Sequence, residues 1–197
     1  LGGAVIRASD ADALKSNLLL VAIDPADSAK VSCAWRSRYG AGFPQSGHGA
    51  FSMSLHGQYD EQNIFAKIIR GEAPCYKLYE DEDVLAFLDL FPQSYGHCLV
   101  IPKNAPARNI LEIDDANLAK VMAVVRKLTQ AVVDELEPAG VQVAQFNGAP
   151  AGQTVFHIHM HIVPRYEGDT LGIHASQQAD AAQLQALQAR LVKRLQG

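Results

Sequence analysis

Apolar and polar residues follow two regimes along the chain, with a change near residue 53. Residues 1–52 are rich in Gly, Ala and Ser, and residues 39–49 are almost all turn formers. Only residues 10–20 there have a spacing that suggests a short helix. The later part is periodic. Apolar positions 64, 65, 68 and 69 predict a short amphipathic helix over residues 64–70, stopped by Gly71 with Pro74 beyond it. Residues 76–80 and 84–88 read as strands around a tight turn at Asp81, Glu82 and Asp83, and residues 98–101 as a third strand closed by Pro102. Asp114 or Asp115 can cap a long helix with an apolar stripe of Leu118, Val121, Met122, Val125, Leu128, Val132 and Leu136, ended by Pro138 and Gly140. Residues 141–146 and 155–163 give a fourth and a fifth strand, and residues 179–195 a last amphipathic helix. Antiparallel strands on short links, with the helices segregated, predict an α+β fold: a five-stranded antiparallel sheet with one long helix and a C-terminal helix.

The domain reading is one periodic folded unit over residues 58–197 behind an extension of low information over residues 1–57. The sequence starts at Leu1, and Met53 stands just before the periodic part. Residues 1–52 are therefore expected to be dispensable, as a mis-assigned start or an added segment. The alternative is a real extension that packs on the rest.

Composition narrows the function classes. The chain has 197 residues, is 48% hydrophobic and 19% charged, and carries a net charge of −4. That balance excludes the broad electropositive surface that DNA or RNA needs, but not a local pocket of donors for a small anion. The longest early apolar run, residues 18–23, is far short of the roughly 20 residues of a membrane span. The three cysteines, Cys33, Cys75 and Cys98, form no Cys-x-x-Cys pair, and an odd count argues for reduced thiols in the cytoplasm.

The chemistry concentrates at His157, His159 and His161. Three of seven histidines fall within five residues. On a strand, alternate side chains share a face, so the imidazoles line one side while Ile158, Met160 and Ile162 enter the core. A half-exposed strand that merely carries histidine, a zinc site, and covalent catalysis by one imidazole all fit that arrangement. Upstream, Asn147-Gly148 and Gly152-Gln153-Thr154 favour covalent catalysis. Glycine admits close backbone approach, and Asn, Gln, Thr and free N–H groups can surround phosphate oxygens. Taken alone, those residues would make an ordinary turn.

His157-Ile158-His159-Met160-His161-Ile162-Val163 resembles the signature of the histidine-triad nucleotide hydrolases and transferases. The resemblance extends over residues 59–168. It includes Ile64-Phe65-Ala66-Lys67-Ile68-Ile69-Arg70-Gly71-Glu72, Leu85-Ala86-Phe87-Leu88-Asp89 and His97-Cys98-Leu99-Val100-Ile101-Pro102-Lys103. The resemblance implies that His159 is the nucleophile, that His161 contacts the α-phosphate, that His157 orients the cluster and that His97 supports it. Asp89 would bind the ribose hydroxyls, and Phe65, Ile69 and Leu90 would line a base pocket. Asn147, Gly152, Gln153 and Thr154 would hold phosphate and leaving group. It further implies a homodimer and a purine nucleotide ligand such as AMP or an AMP conjugate.

One departure stands out. Many relatives carry Cys-x-x-Cys around the Ile-Phe pair, where zinc binds, and here those positions are Asn63 and Ala66. No structural zinc and no cofactor are therefore expected. The expected activity is hydrolysis at the α-phosphate of nucleoside 5′-phosphoramidates or related adenylated compounds, through a nucleotidyl-histidine. Ile162-Val163-Pro164-Arg165-Tyr166 resembles bacterial members and also dinucleoside-polyphosphate hydrolases, which keeps Ap3A or Ap4A as alternative substrates. A nucleotide-binding partner protein with residual activity is the alternative from another class.

Overall fold

The computed structural model describes residues 55–169 and 178–196. The short helix suggested at residues 10–20 lies outside them. In chain order the elements are α1 (Ile64–Ile69), β1 (Tyr76–Glu80), β2 (Val84–Leu88), β3 (Cys98–Pro102), α2 (Asp115–Leu136), β4 (Gly140–Ala144), β5 (Met160–Arg165) and α3 (Ala181–Gln196).

Local chemistry starts and stops these elements. The Asn63 side chain accepts hydrogen bonds from the N–H groups of Phe65 and Ala66 and so caps α1. The Asp81 carboxylate accepts from the N–H groups of Asp83 (2.9 Å) and Val84 (2.7 Å), closing the β1–β2 hairpin. Asp114 caps α2 by accepting from Asn117 N–H, and Glu137 ends it in a left-handed conformation.

The strands form one antiparallel sheet in the order β1-β2-β3-β5-β4. Every residue of β2 and β3 is buried, because both faces of the central sheet are covered. The period of two divides their side chains. Val84, Ala86, Leu88, Cys98, Val100, Met160 and Ile162 meet Val121, Val125, Leu128 and Val132 of α2 and Leu184, Leu187 and Leu191 of α3. On the opposite face Leu85, Phe87, Leu99 and Ile101 pack with Phe65 of α1, joined by Ile68 and Ile69. The three buried leucines of α3 contribute roughly 5–9 kcal/mol of transfer free energy before the entropy of ordering. That equals the whole net stability of a typical domain, so α3 is integral to the fold.

Three details differ from the sequence expectation. The fifth strand begins at Met160, not Val155: its ladder with β3 starts at the Val100–Met160 pair, its ladder with β4 at Ala144–His161, and the N–H of Ile158 goes instead to the Ala107 carbonyl. The fourth strand likewise ends two residues early. On α2, Val124 is buried in place of Met122, which is 40% exposed. Residues on the N-terminal side of the 57/58 division also touch the rest of the fold. The Leu55 carbonyl accepts from Asn109 Nδ2 at 2.7 Å, and Gly57 lies against Arg108, where a Cβ would come within 2.8 Å of Nη1.

A chain starting at Met53 should melt with the full-length protein, whereas one starting at Glu61 should melt at least about 2 °C lower. The second loses the Leu55 and Tyr59 contacts, worth a kcal/mol or more, and 1 kcal/mol moves the midpoint by about 2–4 °C at this size. Equal melting of both truncations would show that residues 55–60 do not brace the fold.

Candidate active site

The face that carries Leu99 also carries His161, since the two are directly paired between β3 and β5. The chain before β5 runs on without a ladder and is held by other bonds. Ile158 N–H donates to the Ala107 carbonyl at 2.8 Å, and Ile158 fills a small cluster with Ala105, Ala107 and Ile113. His157, His159 and His161 are all buried, as is His97 just ahead of β3. Gly96 makes the placement of His97 possible. It adopts a φ of 90°, and a Cβ there would lie 2.4 Å from Leu136 Cδ1 at the end of α2.

The hydrogen bonds fix the protons. His159 Nδ1 lies 2.7 Å from the carbonyl oxygen of His157. A carbonyl only accepts, so Nδ1 carries the proton and Nε2 keeps its lone pair. Burial pushes the pKa of His159 down, so the ring is neutral near pH 7. His157 donates from Nε2 to the Pro102 carbonyl at 3.0 Å, and its Nδ1 lies 2.5 Å from the Tyr59 hydroxyl. His97 Nδ1 accepts from Gln93 N–H at 3.2 Å, which leaves the His97 proton on Nε2, donated to His161 Nδ1 at 2.9 Å. A neutral His161 therefore holds its proton on Nε2. Burial lowers the pKa of both His97 and His157 to about 4, in the first case against the pull of Asp89, whose Oδ2 is 3.3 Å away.

A cavity of about 440 Å³ opens over this cluster, within the roughly 300–1,000 Å³ of small-ligand sites. Part of its lining is apolar, formed by Ile64, Phe65, Ile68, Pro74, Phe87 and Leu99. The polar part is Asp89, His97, Gly152, Thr154, His159 and His161, and Leu90 also lines it. Phe65 meets His159 edge-on, with ring centroids 5.0 Å apart.

His157, expected to orient the cluster, faces Tyr59 and Pro102. Three residues expected at the ligand do not line the cavity. Ile69, the last residue of α1, packs against the Phe65 and Phe87 cluster, and Ile68, one residue earlier, takes the lining position. The Asn147 side chain accepts from Ile110 N–H at 3.1 Å. Buried Gln153 accepts from Gly148 N–H and donates to the carbonyls of Arg108 and Val155, so its amide is committed to the loop. These corrections share a reason: short-range sequence order does not tell which side of a turn a side chain takes. Sequence reasoning also passed over Tyr59, Phe146, Cys75 and Gln93. Tyr59 and Gln93 carry no periodic or motif signal: each reaches the histidine cluster through a hydrogen bond that residue type and spacing do not announce.

The positions of the zinc-binding cysteines of relatives do not suit a metal here. The Asn63 side chain caps α1 and Ala66 offers no donor. Among the described residues one group is spaced to take a cation, Asp89, His97 and His161, with ligand atoms within 4.8 Å of one another. The facing nitrogens of its two histidines are already hydrogen-bonded to each other.

Residues 70–168 match the model of the HIT domain. The chain belongs to the HIT family of nucleotide hydrolases and transferases. It is 45% identical over 139 residues to the protein named hit of Bacillus subtilis, covering 68% of this chain and 95% of that one. It is 44% identical over 102 residues to the adenosine 5′-monophosphoramidase hnt1 of Schizosaccharomyces pombe, covering 52% and 73%. The crystal structure of a Hit-like protein involved in cell-cycle regulation from Bartonella henselae superposes with a TM-score of 0.64 at 42% identity, covering 70% and 99%. The antiparallel sheet with its helices is thus the HIT fold, and His157, His159 and His161 are the triad of this HIT protein.

The buried neutral imidazoles make this HIT protein sensitive to acid. The folded pKa of His97 and of His157, about 4, lies below the unfolded value of 6.5. Between those values the unfolded chain binds protons that the folded chain refuses, at a cost of about 1.4 kcal/mol per pH unit per group. Stability should be full above pH 6.5 and fall by a few kcal/mol as pH drops toward 4. Thermal melts at about pH 7 and about pH 4.5 check this, and an unchanged midpoint would contradict neutral burial.

Proposed function

We propose that this protein hydrolyses nucleoside 5′-phosphoramidates or related adenylated compounds at the α-phosphate, with His159 as nucleophile. One observation carries the reading. His159 is neutral, its Nδ1–H is anchored on the His157 carbonyl, and its ring lines a nucleotide-sized cavity beside Asp89. The name of the fission-yeast relative, an adenosine 5′-monophosphoramidase, supports the substrate class.

The base enters the apolar part of the cavity between Phe65, Ile68 and Phe87. Asp89 accepts bonds from the ribose hydroxyls. Its Oδ1 already takes Phe91 N–H at 2.9 Å, which steadies the carboxylate. The α-phosphate lies by His161, Thr154 and the Gly152 backbone. His159 Nε2 attacks phosphorus, the bond from phosphorus to the leaving nitrogen breaks, and the departing amine takes up a proton. A water molecule then attacks phosphorus, the bond to Nε2 breaks, and the nucleoside monophosphate departs with the water's hydroxyl. The second water proton balances the one taken by the amine. Neutral imidazole returns with its proton still on Nδ1. Two easier displacements replace one difficult one, and positioned donors supply the charge stabilisation that phosphoryl transfer needs.

His159→Ala should lower turnover of adenosine 5′-phosphoramidate by at least about a thousandfold while AMP binding by calorimetry persists. Activity within about tenfold of wild type would remove His159 from the role. Parallel assays with Ap3A and Ap4A separate phosphoramidate from dinucleoside-polyphosphate preference. AMP binding with no turnover of any substrate would favour a binding protein.

The reading includes a homodimer and a reducing, cytoplasmic setting. No described helix is long and apolar enough to cross a membrane, and Cys75 and Cys98 are free thiols. The β1 edge of the sheet is covered by α3, whose Gln188 Nε2 donates to the Lys77 carbonyl at 2.8 Å. The β4 edge has no such cover among the described residues. Val143 on it is 43% exposed, and Met122 and Val133 of α2 are 40% and 38% exposed. An open apolar edge is a pairing site for a second copy, and a lysine there blocks such pairing. Light scattering should give twice the chain mass for wild type and the single mass for Val143→Lys. A monomeric wild type would overturn the dimer.

A further inference from the structure

Tyr59 lies outside the residues matched by the HIT domain model, 70–168, and does not line the cavity. It nevertheless reaches the triad from behind. We infer that Tyr59 is a positioning residue for the nucleophile: its hydroxyl, 2.5 Å from His157 Nδ1, holds that ring in the Nε2–H form and so steadies the carbonyl on which His159 is oriented. The inference rests on His159 being the nucleophile.

The wiring follows from donor and acceptor types. The Pro102 carbonyl cannot donate, so the proton of His157 must be on Nε2. A neutral ring then has a bare lone pair on Nδ1, buried with the rest of the side chain. A buried lone pair without a donor is destabilising. Tyr59 O–H supplies the donor, and with both nitrogens engaged the ring has one satisfied orientation. Rotation about its χ2 would turn Nε2 away from Pro102 and Nδ1 away from Tyr59. The residue held this way is also the one whose carbonyl receives His159 Nδ1–H at 2.7 Å. Tyr59, His157 and His159 thus form a relay of two bonds, ending at the nitrogen that must stay protonated for Nε2 to attack.

Tyr59 is itself braced. On one side Asn109 Nδ2 donates to the Leu55 carbonyl at 2.7 Å. On the other, Asn63 Nδ2 donates to the Asp60 carbonyl at 2.6 Å, and Arg70 Nη1 to the Glu61 carbonyl at 2.8 Å. Phe65 fills the gap in front, edge-on to His157 (6.2 Å between centroids) and to His159 (5.0 Å). The phenol ring lies 5.6 Å from the His157 ring, so a phenylalanine keeps the ring packing and loses the hydroxyl, with its bonds to His157 and to the Asn63 side chain.

The test compares wild type with Tyr59→Phe by steady-state kinetics on adenosine 5′-phosphoramidate and by imidazole ¹⁵N–¹H correlation spectra. Small misplacements of reacting groups cost up to about a hundredfold, and here the nucleophile keeps its own bond, so kcat should fall about tenfold with KM within about twofold. The spectrum of wild type should show His157 protonated on Nε2 and His159 on Nδ1. In Tyr59→Phe the His157 Nδ1 resonance should move downfield as its lone pair loses the donor. A wild-type His157 protonated on Nδ1 overturns the inference whatever the variant does, as does a variant with unchanged kcat. A raised KM at constant kcat would put Tyr59 with the substrate and also overturn it. If wild type turns over no substrate, the proposed activity falls, and the two histidine resonances still decide the wiring.

Discussion

The bond from His159 Nδ1–H to the His157 carbonyl is the constraint on which the site depends. An imidazole has two nitrogens and, when neutral, one proton. Nucleophilic use of Nε2 requires that proton to stay on Nδ1, and a backbone carbonyl two residues back is an acceptor that cannot itself lose or donate a proton. The bond demands a local chain path that a regular strand does not offer. That explains why β5 begins only at Met160. The β3 ladder ends at the Val100–Met160 pair, so the backbone before Met160 is not tied to β3, and Pro102 gives its carbonyl to the His157 ring.

Burial complements that bond. Four histidines in one desolvated cluster would be unstable as cations, and desolvation is the largest cause of the lowered pKa at His97, His157 and His159. Neutrality makes the lone pair of His159 available at physiological pH, and it also makes each ring's single proton unambiguous. Chains of donors then end on fixed acceptors: Gln93 to His97 to His161, and Tyr59 to His157. The same desolvation makes the fold lose stability in acid. The available lone pair and the acid sensitivity share one cause.

Much of this was legible in the sequence. The β1–β2 hairpin matched residue for residue, because Asp81 and the alternation around it have one local solution. The alternation of histidine with Ile158, Met160 and Ile162 correctly separated site from core, although Ile158 joins a satellite cluster and not the main one. The extent of the fifth strand was not legible, since it depends on where β3 and β4 stop. The α2 stripe erred at Met122 because positions 122 and 124 flank the same line of 121, 125 and 128, and only the docked sheet selects which flank is buried. Asn147 and Gln153 were read as ligand contacts from residue type. Their amides serve equally well inside a loop, and the structure uses them there.

That use of Gln153 explains how a loop of Gly, Ala and Pro can serve phosphate chemistry. Residues Ala149–Ala151 make a single 3₁₀ turn between Gly148 and Gly152, both at positive φ. Such a turn has little packing of its own, since none of its residues is buried. Buried Gln153 ties it from beneath: Oε1 takes Gly148 N–H, and Nε2 reaches the Arg108 and Val155 carbonyls on either side. Backbone N–H groups stabilise developing charge only if they are already oriented when the charge appears, because reorientation would consume the benefit. A glutamine placed behind the loop therefore does more for an anion in front of it than one pointing at the ligand. It fixes the turn at Gly152 and Thr154, the two residues of the segment that line the cavity.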